Sequence, residues 1–163
     1  LIKELFLLIF LYSVKDKGVS VEKLTELLWF SMDAKSAKNN RAVNIAKLKN
    51  ILPEIESCSL NRKTGYWRIE FDESIVYNDY FSCLKNINNQ ETLSNEELDA
   101  FLKIAGKGPL LGNSNFEWLD EIKSQCSNHI IDTLMHSADQ GKTENDPELM
   151  IKIADTILIF DIL

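Results

Sequence analysis

Cysteine and histidine are scarce in this chain. Its three cysteines, Cys58, Cys83 and Cys126, are spread over 163 residues with no CxxC pair. That spacing excludes a zinc ribbon and a disulfide scaffold, and it suits a reducing, cytoplasmic compartment. Two histidines are too few for a multi-histidine metal site. Long apolar runs are missing as well. The richest stretch, Leu5–Tyr12, is eight residues, whereas a membrane span needs about 20. Lys15, Asp16 and Lys17 follow it instead of a small-residue cleavage site, so it predicts a buried helix and no membrane contact. The chain starts at Leu1 without a methionine and stops on the apolar run ILIFDIL. Both ends look cut, and the expectation is a piece of a longer protein.

What is present is enough for a core: 45% of residues are hydrophobic, which rules out wholesale disorder. At roughly 100–200 residues per domain, the length allows one domain or two small ones. The net charge of −7 is unevenly spread. Residues 1–71 hold 12 basic and 8 acidic residues, a net +4, and residues 72–163 hold 6 basic and 17 acidic, a net −11. A basic first part points to an anionic partner, and a strongly acidic second part to proteins rather than nucleic acid.

The apolar run Ile2–Val14 predicts a helix with a stop at Gly18. Ser20 is placed to cap a second helix, Val21–Phe30, with Leu24, Leu27 and Leu28 on one face. After the short link Phe30–Asp33, a third helix runs from about Lys35 to Leu52, with an apolar seam at Ile45, Leu48 and Leu52. Pro53 closes it. Two strand candidates follow, Ser57–Leu60 and Tyr66–Phe71, joined by the turn NRKTG at Asn61–Gly65. Beyond a boundary near Asp72–Ser74 the pattern is helical: Tyr77–Ile87, then Asn95–Ala105 behind a Ser94/Glu97 capping box. A loop at Gly106–Asn115 precedes a long helix from Phe116 to about Ala138. The stretch Asp139–Asp146 breaks the pattern. Asp146 and Pro147 then open a last helix, Glu148–Ile162.

The third helix carries the chemistry. Between Ala34 and Pro53 it has five basic residues (Lys35, Lys38, Arg41, Lys47, Lys49) and no acidic one, which suits a helix lying against phosphates. Asn39, Asn40 and Asn44 share it, and asparagine can bind an adenine edge with two hydrogen bonds. Asn40, Val43, Asn44 and Lys47 fall at i, i+3, i+4 and i+7, one stripe facing away from the apolar seam. An Asn/Lys face opposite an apolar face fits a recognition helix. Arg62 and Lys63 in the turn are placed to reach a neighbouring minor groove or phosphate. The plain alternative is an amphipathic helix with a solvated basic face. The order helix, basic helix, basic hairpin favours double-stranded DNA.

Residues 3–71 resemble the effector domain of OmpR-like winged-helix regulators. The resemblance rests on Lys3–Glu4 before the first leucines, VSVEKLTELLW at Val19–Trp29, SAKNNRAVNIAKLKNIL at Ser36–Leu52 and GYWRIEF at Gly65–Phe71. The remainder resembles the bacterial transcriptional activator domain of SARP-type regulators, through GKGPLLGN at Gly106–Asn113 and FEWLDEIKSQC at Phe116–Cys126. The resemblance implies a mainly α fold: a winged helix-turn-helix, three helices plus a β-hairpin wing, over 1–72. A tetratricopeptide-like helical domain, cut short at its C-terminal end, would occupy 73–163. It implies a transcription activator, dimeric on repeated DNA sites, that contacts RNA polymerase through the loop Phe30–Asp33. Asn40, Val43 and Lys47 fall at base-facing positions of the family, and Asn39, Asn44 and Lys49 where it touches phosphate. Arg41 stands where the family has a buried aliphatic residue. Either its stem packs and its head reaches an acid such as Glu22 or Glu26, or it reaches DNA. Strands that precede the first helix in the family are lacking here, as is a phospho-receiver.

Other residues are read as structural. Trp29, Trp67 and Trp118 are expected as core anchors. His129 and His136, with Asp132 between them, lack the spacing of a metal site. Nothing in view lowers the thiol pKa of Cys126 beside His129. The glycines of Gly106–Gly112 lack the Lys-Ser/Thr of a phosphate loop. No catalysis, metal or cofactor is implied. Two rival readings stay open: a protein-interaction module whose winged helix no longer binds DNA, and the regulatory fragment of an enzyme.

Overall fold

The computed structural model describes residues 1–15, 17–88, 93–142 and 146–160. It is mainly helical with one small three-stranded antiparallel sheet. The chain divides into two compact units, Leu1–Tyr77 and Asn78–Leu163, so the division falls a few residues beyond Asp72–Ser74. Among the described residues no helix is long and apolar enough to cross a membrane.

In the first unit, α1 (Ile2–Lys15) buries Leu5, Leu8, Ile9 and Leu11. A two-residue strand, β1 (Val19–Ser20), leads into α2 (Val21–Leu28). Ser20 caps α2 by accepting from the Lys23 amide at 3.0 Å, and Trp29 closes it from the core. Asp33 caps α3 (Ala34–Ile51), accepting from the amides of Lys35 and Ser36, both at 3.0 Å. These bonds satisfy orphan donors of the first turn. Ile45 and Leu48 of α3, and Leu52 in the single 3₁₀ turn after it (Leu52–Glu54), are buried as the seam predicts.

The hairpin is β2 (Cys58–Lys63) and β3 (Tyr66–Phe71), paired from Cys58↔Phe71 to Lys63↔Tyr66. Its turn is therefore two residues, Thr64 and Gly65, both at positive φ, the geometry that matches strand twist in tight hairpins. The expected five-residue turn is too long: Asn61, Arg62 and Lys63 belong to β2. The sheet also gains β1, which sequence patterning missed, at the free edge of β3 (Val19↔Trp67, Ser20↔Tyr66). Two residues are too few to show a period of two. Gly18 makes the approach possible. It has φ +105°, and a Cβ there would lie 2.4 Å from the Trp67 carbonyl oxygen. Beyond β1 the edge of β3 is finished by a side chain: the buried Ser13 hydroxyl accepts from the Ile69 amide at 2.9 Å and donates to the Ile9 carbonyl at 2.6 Å.

The second unit holds α4 (Asp79–Asn88), α5 (Asn95–Ala105), α6 (Glu117–Ser137) and α7 (Pro147–Leu158). The Ser94/Glu97 capping box forms as expected, and Asp146 caps α7 with Pro147 at its start. A π-type turn, Ala138–Lys142, occupies the first part of the expected break. Residues 143–145 and the end of the expected last helix lie outside the described residues. Helix α4 packs on α5 and α6, and α7 on α5 and α6, around a core that includes Leu98, Phe101, Leu119, Leu134 and Ile153. Asp99 of α5 bridges Lys103 at 2.9 Å and Lys152 of α7 at 2.7 Å.

Candidate nucleic-acid interface

The outward side of α3 is set by what it buries. Ala37, Asn44, Ile45 and Leu48 face the core, so Lys35, Lys38, Asn39, Ala42, Val43, Ala46, Lys47, Lys49 and Asn50 are left exposed. Four of these are lysines and none is acidic. Ala42 and Ala46, which are not in the expected stripe, lie along the middle of this face. Their small side chains let the helix backbone come close to whatever covers it, and a methyl group is a fit for a thymine methyl. The Asn39 and Val43 side chains are also exposed, Val43 by 52%.

Two members of the expected stripe sit differently. Asn44 is 7% exposed, and its amide donates to the Asn40 carbonyl at 2.8 Å. The expectation that it touches phosphate is corrected: one helical position from the seam residue Ile45, it rolls inward and is satisfied there. Asn40 is half-buried, and its amide donates back to the Ser36 carbonyl at 3.1 Å and toward the Met32 sulfur. Short polar side chains in helices commonly return to the preceding turn in this way. Val43 and Lys47 thus form the exposed part of the stripe, and Lys38 and Asn39 are exposed beside it.

Arg41 is half-buried between helices, and its guanidinium donates to the Thr25 hydroxyl of α2. Of the two alternatives left open, the inward one is realised, with a hydroxyl in place of an acid. Glu22 lies close enough to feel Arg41 and Arg62. Its carboxyl is held below the usual range chiefly by a hydrogen bond to its own backbone and one from Ser20, with those cations adding less.

Arg62 and Lys63, adjacent in β2, point to opposite faces because strand side chains alternate. Lys63 is on the outer face, 2.7 Å from the Glu70 carboxylate. Asn61 donates to the same carboxylate at 2.7 Å, and together they hold Glu70 below its usual pKa, Lys63 contributing most. Arg62 shares the face of Leu60 and lies opposite Trp67, with its guanidinium carbon 5.8 Å from the centre of that ring. Lys49 of α3 approaches the same ring at 5.3 Å. Trp67 is half-buried, not the core anchor expected, and Trp118 is also half-buried, stacked on Phe116. Trp29 alone of the three is in the core.

The fold therefore brings Lys35, Lys38, Asn39, Val43, Lys47 and Lys49 onto one helix side and Arg62 to its C-terminal end. It turns Arg41 and Asn44 inward and engages Lys63 with Glu70. Among the described residues no ion pair holds Lys35, Lys38 or Lys47, so their charge faces solvent.

Comparison with known proteins yields no match: no family model, no curated protein and no solved structure.

Among the described residues, no group of three or more His, Cys, Asp or Glu side chains is arranged to hold a metal ion. What this surface offers is unpaired positive charge, two hydrogen-bonding asparagine positions and a low central ridge. Charge of one sign along a helix face is suited to attract an anion.

Proposed function

We propose that the first unit binds double-stranded DNA, with α3 in the major groove and the β2–β3 hairpin on the flanking backbone, as a winged helix-turn-helix. The observation that carries this reading is the outward side of α3. It is an 18-residue helix with four exposed lysines, no acid, and alanines at its centre. A bare basic face of this length suits the major groove, which admits a helix and presents phosphates on both walls. The hairpin adds Arg62 at the end where α3 leaves the core. The second unit, acidic and helical, serves as a tetratricopeptide-like interaction module. In this reading the protein is a transcription activator that works as a homodimer and meets RNA polymerase through the Phe30–Asp33 loop, where Phe30 is 80% exposed.

The rival reading, a protein-interaction module that has lost DNA binding, is favoured by one observation: Asn44 is buried and Asn40 is tied to its own helix, which leaves fewer base readers. Selection from random duplexes at two salt concentrations separates the two. Four phosphate contacts predict a log–log salt slope of about −3.6, weakened by Lys38→Ala/Lys47→Ala, and an enriched motif. Binding that is flat with salt, has no motif and is unchanged by the double substitution overturns the DNA reading.

A further inference from the structure

Three elements meet at the Trp67 ring. Lys49 comes from the last turn of α3, with its ammonium 5.3 Å from the ring centre. Arg62 comes from β2, with its guanidinium carbon 5.8 Å away. Trp67 itself is fixed on both sides of its strand, paired to Arg62 across the hairpin and to Val19 of β1. The Gly18 backbone closes on its carbonyl. The ring is thus an anchored platform, whereas Lys49 and Arg62 are exposed on long side chains, Arg62 also within the field of the Glu22 carboxylate.

We propose that Trp67 is a positioning residue that yokes Lys49 of the helix to Arg62 of the hairpin, so that both cations meet the DNA phosphodiester backbone as one unit. The proposal rests on the DNA-binding reading above. Two like charges at one place repel, and each flexible side chain loses rotamer freedom when a phosphate fixes it. A tryptophan face, the strongest aromatic partner for a cation, offsets the repulsion and orders both side chains before the ligand arrives. Arginine is well suited to such stacking because its planar head keeps its edge donors free for phosphate. The ring also registers the hairpin against α3, since a hairpin displaced from the helix would separate the two cations.

The test uses the full chain, a fluorescent 20-base-pair duplex and a salt series. Removing one cation from the phosphates makes the log–log slope shallower by about 0.9. Trp67→Leu is expected to make it shallower by about 1.8, as both cations disengage, while Trp67→Phe, which keeps an aromatic face, retains most of the slope. Lys49→Met and Arg62→Met reduce it in the native background and add little in Trp67→Leu. An unchanged slope in a Trp67→Leu protein with a native thermal transition overturns the proposal, as does a Phe variant that loses as much as Leu. Should Trp67→Leu fail to fold, the Lys49→Met/Arg62→Met cycle decides alone: coupled losses support the yoke and strictly additive ones overturn it. A wild-type protein without salt-dependent binding brings down the DNA reading and the yoke together. Salt-dependent binding that Lys38→Ala/Lys47→Ala weakens and Trp67→Leu does not brings down the yoke alone.

Discussion

Replacing Ser13 by alanine tests how the sheet that carries Trp67 is held. Strand β3 is central, but its β1 neighbour is only Val19–Ser20. Beyond that point the Ile69 amide has no strand to pair with, and it donates to the Ser13 hydroxyl instead, at 2.9 Å. Ser13 is 4% exposed and Ile69 2%, so water does not reach the group readily. The hydroxyl's own donation to Ile9 is secondary, because an interior helical carbonyl already has its i+4 partner. Ser13→Ala therefore orphans one buried amide, a loss of about 1–3 kcal/mol, with little packing change. With a denaturant slope of about 1–2 kcal/mol/M, a loss of about 2 kcal/mol moves the urea midpoint down by about 1–2 M. The assay is equilibrium unfolding of the full chain in a Trp118→Phe background, so that Trp29 and Trp67 report on the first unit. A change below about 0.5 kcal/mol at unchanged slope, the range of an ordinary surface substitution, refutes the reasoning.

Glycine substitutions give a paired contrast. Gly18→Ala meets the Trp67 carbonyl at 2.4 Å as well as an unfavourable φ of +105°, whereas Gly65→Ala has a φ of +89° and nothing within 4 Å. Gly65→Ala is expected to cost about 1–2 kcal/mol in thermal unfolding and Gly18→Ala clearly more; equal costs would mean that the close approach relaxes freely. Lys152 and Lys103 hold the Asp99 carboxyl at about 2, below its unfolded value of about 3.9. The contribution of that pairing is complete above the unfolded value and disappears as pH falls toward 2. Carboxyl NMR should find the low midpoint, and Lys152→Met should move it up; an ordinary midpoint in the native protein would remove the bridge. The hydrogen bond to Cys126, together with burial, pushes the Cys83 thiol up, and burial raises Cys58 as well, although Cys58 is half-buried. A disulfide reagent should therefore titrate Cys58 alone in the native chain, faster at higher pH, and all three thiols in urea. Native reaction at Cys83 or Cys126 would show that the α4–α6 contact opens.

The helical elements were legible because their signals are local: a cap at several of them, a seam at 3.6 spacing or a stop. Ser20, Asp146–Pro147 and the Ser94/Glu97 box all act where they were expected. Elements defined by a distant partner were not legible. Strand β1 exists because Gly18 lets the chain close on Trp67, and nothing local to Val19–Ser20 reports that. The hairpin turn was over-drawn for a related reason. Asn61 reads as a turn residue by type, but its amide is held by Glu70 nine residues later, which keeps it in register within β2.

At the candidate site the residue types were readable and their directions were not. One helical step separates neighbouring residues by about 100°, so a stripe drawn through four positions is easily wrong by one. The burial of Ile45 and Leu48 turns Asn44 inward and leaves Ala42 and Ala46 on the outside. This shifts the balance of the proposed interface. Polar base readers are fewer than the run of asparagines suggests, and the exposed lysines gain relative weight. Phosphate contacts fix position and affinity without carrying sequence information directly. In the DNA-binding reading proposed above, the candidates for specificity are Asn39, Val43 and Lys47, methyl contacts at the alanines, and the shape of the duplex. Lys47→Ala divides these sources: a loss of about 1–3 kcal/mol confined to the preferred sequence marks a base reader, and an equal loss on every duplex marks a phosphate contact.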